Sequence, residues 1–166
     1  MSSQIKVLFD TNVWLDRFLR DRPKGALCRR LIEQCATRSD DIAILYPLHT
    51  LNDVFWFVTR DIKKWVIESY GELTEAGARL SNARAWESID VMSELGTPVA
   101  ADVSDVWFAR KLRSVHPDFE DDMVLAAAER AHVDYLVTSD ERLILKATVA
   151  ALKPEDMLSV LAISPT

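Results

Sequence analysis

Little in this chain suggests a thiol- or imidazole-based site. It has two cysteines, Cys28 and Cys35, without CxxC spacing. They read as buried helical thiols of a reducing compartment. His49, His116 and His132 are scattered, so they fit structural or surface positions better than a His-based metal site or a catalytic base. No apolar run is long enough to span a bilayer, and no basic stretch followed by an apolar one marks a signal peptide. The expectation is a cytoplasmic protein with no membrane partner. Excess positive charge is also missing. A net charge of −6 argues against a broad basic face for nucleic acid. It leaves room for a nuclease whose carboxylates hold a cation that meets the phosphate, and for a basic protein partner. Repeats, linkers and low-complexity segments are absent, and 166 residues suit one domain, 1–166, with a sizeable core.

What is present is an alternation of apolar runs and helical patterns. Ile5–Phe9 reads as a buried strand, then a short helix runs to Leu19 and a second covers 25–36. Leu27, Leu31 and Ile32 face the core. Residues 42–46 form the next strand, stopped by Pro47. A long helical arm follows over about 48–95, broken near Gly71. It is rich in tryptophan, with Trp56, Trp65 and Trp86. Trp56 and Trp107 are expected in the core. Residues 97–101 form a short strand, and Ser104 is placed to cap the helix carrying Trp107, Phe108 and Leu112. Residues 118–131 are helical, 135–138 a strand and 141–147 a short helix. Pro154 starts the last helix. Strands alternating with helices give an α/β fold with a mainly parallel sheet of four or five strands.

Four acids lie where segments emerge at one edge of that sheet: Asp10, Asp53, Asp121 and Asp140. Each has an ordinary explanation. Asp10 and Asp140 fit helix caps, Thr50-Leu51-Asn52-Asp53 has capping-box spacing, and Asp118–Asp122 places acids where a helix dipole favours them. Together they suggest more. Clustered carboxylates raise one another's protonation tendency, so a cation is needed to neutralise them. Mg²⁺ or Mn²⁺ accepts carboxylates, water and phosphate oxygens, and two such ions roughly 4 Å apart promote phosphodiester hydrolysis. Arg17, Arg20, Arg22 and Lys24 follow Asp10 closely. They read as a solvated helix end or as a phosphate-tracking rim.

At these positions the chain resembles the PIN-domain ribonucleases, and within them the VapC-like toxins of toxin–antitoxin pairs. The matching stretches are Val7-Leu8-Phe9-Asp10-Thr11-Asn12-Val13-Trp14-Leu15, Asp118-Phe119-Glu120-Asp121-Asp122 and Tyr135-Leu136-Val137-Thr138-Ser139-Asp140. Lys153-Pro154-Glu155-Asp156-Met157-Leu158 also looks like the family's end. The resemblance implies a PIN-like three-layer fold and a divalent-metal-dependent endoribonuclease that leaves 5′-phosphate and 3′-hydroxyl ends. By position it makes Asp10, Asp121 and Asp140 the metal-binding acids, with Asp122 as the alternate to Asp121. Thr11, Asn12, Thr138 and Ser139 would shape the pocket through hydroxyl and amide hydrogen bonds. The family's second acid is usually Glu. Here Asp53 stands in its place and is one methylene shorter. An RNA substrate, a homodimer and an antitoxin with a basic tail are the implied partners.

Two rival readings remain at this stage. A phosphatase of the haloacid dehalogenase type would use Asp10 as nucleophile and Asp121-Asp122 as its metal-binding pair. Its order places the Thr or Ser and a Lys before that pair, whereas Thr138 and Lys146 come after. A non-catalytic PIN-like RNA- or partner-binding module with a decayed site is the other, and the shortened acid at Asp53 favours it.

Overall fold

A computed structural model describes residues 4–113 and 118–163. Among them run β1 (Ile5–Phe9), α1 (Thr11–Phe18), α2 (Gly25–Ala36), β2 (Ile42–Pro47), α3 (Thr50–Tyr70), α4 (Glu75–Leu95), β3 (Thr97–Val99), α5 (Val103–Leu112), α6 (Phe119–Ala131), β4 (Tyr135–Val137), α7 (Glu141–Lys146), β5 (Ala151–Leu152) and α8 (Pro154–Ile163). The strands form one five-stranded sheet in the order β3-β2-β1-β4-β5. Every pairing is parallel. β5 is the strand the sequence pattern did not show, because two residues carry no periodicity.

Alternating side chains of β1 divide the core. Val7 and Phe9 pack with Trp14, Leu31, Ile32, Val54, Met92 and Met157, on the side carrying α1 to α4 and α8. Leu8 packs with Val124, Leu125, Leu136 and Leu143, on the side carrying α5 to α7. A sheet buried on both faces needs apolar residues at consecutive positions, and Val7-Leu8-Phe9 supplies them. The outcome is the expected three-layer arrangement of a parallel sheet between helices.

The chain moves outward from β1 through β2 to β3, then returns to place β4 on the other side of β1. That reversal is a topological switch point, where the strand ends of open α/β sheets form a crevice. Phe9 is in register with Val137, so β1 and β4 end side by side. Asp10 and Thr138 are the next residues on each. The Asp10 N–H donates to the Val137 carbonyl at 3.0 Å and carries the pairing one step beyond the strands.

The arm is a helical hairpin. Gly71 closes α3 at φ 84°, a left-handed cap that glycine adopts without a Cβ clash. The Thr74 hydroxyl accepts from the Gly77 N–H at the start of α4. Gly77 then lets the two helices approach, since a Cβ there would sit 2.5 Å from Val66 Cγ1.

Several expectations are corrected. Trp56 and Trp107 are not core residues, being 54% and 57% exposed. The inward face of α3 is set by Val54, Val58 and Val66, leaving Trp56 on the opposite side. On α5, Asp105 and Ala109 face inward, and Lys111 Nζ lies 3.7 Å from the centre of the outward Trp107 ring. The buried indole is Trp14, stacked on Phe18 and edge-on to Phe9 and Tyr46. Asp102, not Ser104, caps α5, forming a reciprocal capping box with Asp105. Ser104 donates its hydroxyl to the same Asp102 carboxylate.

Cys28 and Cys35 are buried on α2 as expected, and burial pushes both thiols up to about 12. Arg17, Arg20, Arg22 and Lys24 are each paired with an acid, namely Glu33, Asp61, Asp16 and Glu155. No helix among the described residues is long and apolar enough to cross a membrane. His116 lies outside the described residues.

Candidate active site

Asp10 is the centre of the crevice. It caps α1 and is only 5% exposed. One carboxylate oxygen, Oδ1, accepts from the Thr11 N–H at 2.7 Å. The other, Oδ2, accepts from Asn12 Nδ2 at 2.6 Å and from the Thr138 hydroxyl at 2.7 Å. Those donors favour the carboxylate, yet burial outweighs them and pushes Asp10 up to about 7. The negative charges of Asp121 and Glu120 add to the rise.

Thr138 connects Asp10 to Asp140. Its hydroxyl donates to Asp10 and accepts from the Asp140 N–H at 3.0 Å and from Asn12 Nδ2 at 3.1 Å. Asn12 completes the bridge by accepting the Ser139 N–H on its Oδ1 at 3.1 Å. Ser139 thus contributes its backbone; its buried hydroxyl has no hydrogen-bond partner among the described residues. Asp140 Oδ1 accepts from the Arg142 and Leu143 N–H groups, so this acid does cap α7, as its ordinary reading had it.

Asp53 does not cap its own helix. His49 occupies that position and makes no side-chain capping bond. The hydroxyls of Thr11 and Thr50 meet at 3.0 Å in the core and tie the start of α3 to the start of α1. Asp53 follows Thr50 in the first turn of α3, and its charge bears on Glu120, whose charge in turn bears on Asp10.

Asp118 caps α6, its Oδ1 accepting from the Glu120 and Asp121 N–H groups. The acids that follow it have other surroundings. Asp121 bears electrostatically on Asp10, while its alternate Asp122 is buried in the first turn of α6.

The sequence reading missed two participants, His49 and Glu120. One ligand-capable atom from each of His49, Asp53 and Glu120 lies within 4.8 Å of the others. Burial raises Glu120, and the charges of Asp53, Asp118 and Asp121 raise it further. Burial also raises Asp53 and lowers His49, whereas the mutual attraction of these two works the opposite way on each. His49 and Asp53 are four residues apart at a helix start, which was the available signal. Glu120 was hidden within a run of five residues containing four acids.

These residues fit a divalent cation. The three atoms already lie within 4.8 Å of one another, and bonds of about 2.1 Å to a common centre would draw them to within about 4.2 Å. Burial of His49 favours its neutral imidazole, the form that ligates, against the opposing charge of Asp53. Desolvation raises three carboxyls, the buried Asp10, the half-buried Asp53 and the more exposed Glu120, and a nearby cation would offset it.

A PIN-domain family model matches residues 6–142, a span that includes all four predicted acids. The chain belongs to the PIN-domain family, whose members are generally nucleases. Two solved structures share the fold. A chain in the crystal structure of VapBC2 from Rickettsia felis bound to a DNA fragment from their promoter is 11% identical, with a TM-score of 0.63 over 90% of this chain and 98% of that one. PAE2754 from Pyrobaculum aerophilum is 15% identical, with a TM-score of 0.58 over 98% of this chain and 100% of its own. None of the curated proteins compared matches the sequence.

Proposed function

We propose that this protein is a divalent-metal-dependent endoribonuclease, acting as the VapC-like toxin of a toxin–antitoxin pair. The observation that carries the reading is convergence. Asp10 follows β1, Asp53 lies in the first turn of α3, Glu120 and Asp121 lie in the first turn of α6, and Asp140 follows β4. Hydrogen bonds, electrostatics or ligand spacing connect each to a neighbour in the group.

Asp10, Asp121 and Asp140 would hold Mg²⁺ or Mn²⁺, and Asp53 with Glu120 and His49 would hold a cation on the α3 side. Such an ion supplies Lewis-acid activation of water and charge neutralisation at a phosphodiester. The chain's own part is orientation. Thr138 and Asn12 hold the Asp10 oxygens, Thr11 holds α1 against α3, and Asn12 ties β4's end to β1's. Asp53 reaches less far than a Glu would, and Glu120 lies beside it to share the role.

The Rickettsia felis structure is of VapBC2 on promoter DNA, and likeness to it supports an antitoxin partner for this chain. The arm exposes Trp65, Tyr70, Leu73, Leu80 and Trp86, apolar surface suited to an antitoxin or a second copy. A basic antitoxin tail suits the acidic crevice. Residues 1–166 would act as one unit in the cytoplasm.

Incubating the purified protein with structured RNAs tests the activity. Internal cleavage in Mn²⁺, absent with chelator and reduced roughly 10²-fold or more in Asp10→Asn, is the expected result. Equal cleavage by parent and Asp10→Asn would remove Asp10 from catalysis. A trapped phosphoaspartate at Asp10 would favour the phosphatase alternative.

A further inference from the structure

The exposure of Trp56 has a counterpart along the same helix. Trp56, Arg60, Lys63, Lys64 and Ile67 recur at three- and four-residue spacing on α3, opposite the buried Val54 and Val58. They line a shallow hollow of about 560 Å³. The row is headed by Asp53, three residues before Trp56, so it leads away from the candidate active site. The Arg60 guanidinium lies over the Trp56 ring, 5.2 Å from its centre.

Much of the positive charge on this row is unneutralised. The chain is acidic overall, and the four cations near Asp10 that offered a phosphate rim each have an acid partner, closest for Arg20 and Arg22. Among the described residues, Arg60 and Lys63 make no ion pair with an acid. Lys64 has only an exposed contact with Glu68 at 3.7 Å, of the kind worth little in water. An exposed indole with unneutralised cations beyond it is the arrangement that binds single strands, bases stacking on the ring and phosphates meeting the cations. Arg60 and Lys64 are one turn apart, about 6 Å along the helix axis, a spacing that lets neighbouring phosphates of an extended strand be met in turn. An acidic peptide would satisfy the cations, whereas a single strand meets both the cations and the flat face of the indole.

We propose that this outward face of α3 is the track on which single-stranded RNA lies as it enters the site at Asp53. The track rests on the nuclease reading and adds to it the residues along which the strand is held. Trp56 takes a base, while Arg60, Lys63 and Lys64 take phosphates.

The test uses the parent, Trp56→Ala and the double variant Arg60→Gln/Lys63→Gln. Affinity for a fluorescein-labelled oligouridylate is read by anisotropy in chelator, and KM and kcat for its cleavage are read in Mn²⁺. The replaced side chains are exposed or half-buried, and circular dichroism checks folding. Trp56→Ala should weaken binding roughly 5- to 150-fold, the range of one lost base stack, and Trp56→Phe should restore part of it. The double variant should flatten the dependence of log K on log salt by about 1.4, at about 0.7 per lost phosphate contact. KM should rise while kcat is retained. Variants with parental affinity, salt slope and KM overturn the track alone, provided the parent cuts RNA. Variants that keep these values but change oligomeric state assign the face to a protein contact and also overturn it. A parent that neither binds nor cuts the RNA overturns the nuclease reading and the track together.

Discussion

Burial keeps a proton on Asp10 at pH values where an ordinary carboxyl has lost it. Its value in the fold is about 7, against 3.8 for an unperturbed Asp. Between those limits the folded chain holds a proton that the unfolded chain has released, so raising the pH favours unfolding. The stabilisation is complete below the unfolded value and is lost as pH rises through about 7. A shift of this size corresponds to roughly 4 kcal/mol. Denaturant unfolding in chelator, run from about pH 4 to pH 8, should therefore show the parent losing stability relative to Asp10→Asn by an amount of that order. Parallel profiles would show that Asp10 releases its proton at an ordinary pH. Thr138 acts through Asp10 rather than on substrate. Thr138→Val should lower Mn²⁺ affinity and cleavage by about 10- to 100-fold, the usual effect of losing a partner that orients a metal ligand. Thr138→Ser, which keeps the hydroxyl, should recover both. A variant with parental Mn²⁺ affinity would limit Thr138 to packing.

At the scale of elements, patterns with long periods were legible and side-chain orientation was not. The apolar run before Asp10 and the one before Thr138 marked the two adjacent strands, and Gly71 marked the hairpin turn. β5 was too short to carry a pattern. Trp56 was misplaced because α3 carries aromatic residues on both faces, and only its packing against α4 shows which face is covered. The acids of α6 were ambiguous for a related reason. Asp118 takes the capping duty, and this releases Glu120 to meet Asp53 across the crevice, a relation between helices no single stretch contains. The hairpin offers a separate check. Gly77→Ala gains about 1 kcal/mol of helix propensity but overpacks Val66, which costs about 1–3 kcal/mol. Stability should fall, or at best stay level. A clear rise in Tm would mean that α3 and α4 separate to admit the methyl group.

For the molecule as a whole, the parallel sheet and its reversal at β1 and β4 bring Asp10 and Asp140 to neighbouring strand ends, and the charges of Asp121 and Glu120 bear on Asp10. Asp10, Asp53, Asp121 and Asp140 were each visible in the sequence as separate helix-start acids. The structure joins Asp10 to Asp140 through Thr138 and joins Asp53 to Glu120 and His49. If this grouping exists to hold a cation, the affinity belongs to the set and fails when its centre is neutralised. Calorimetric titration of Mn²⁺ into the parent and into Asp10→Asn tests that most directly. The parent should give a saturable heat that is sharply reduced in Asp10→Asn, with both proteins folded. Equal binding by the two, or no binding by the parent, would contradict a shared acidic metal site.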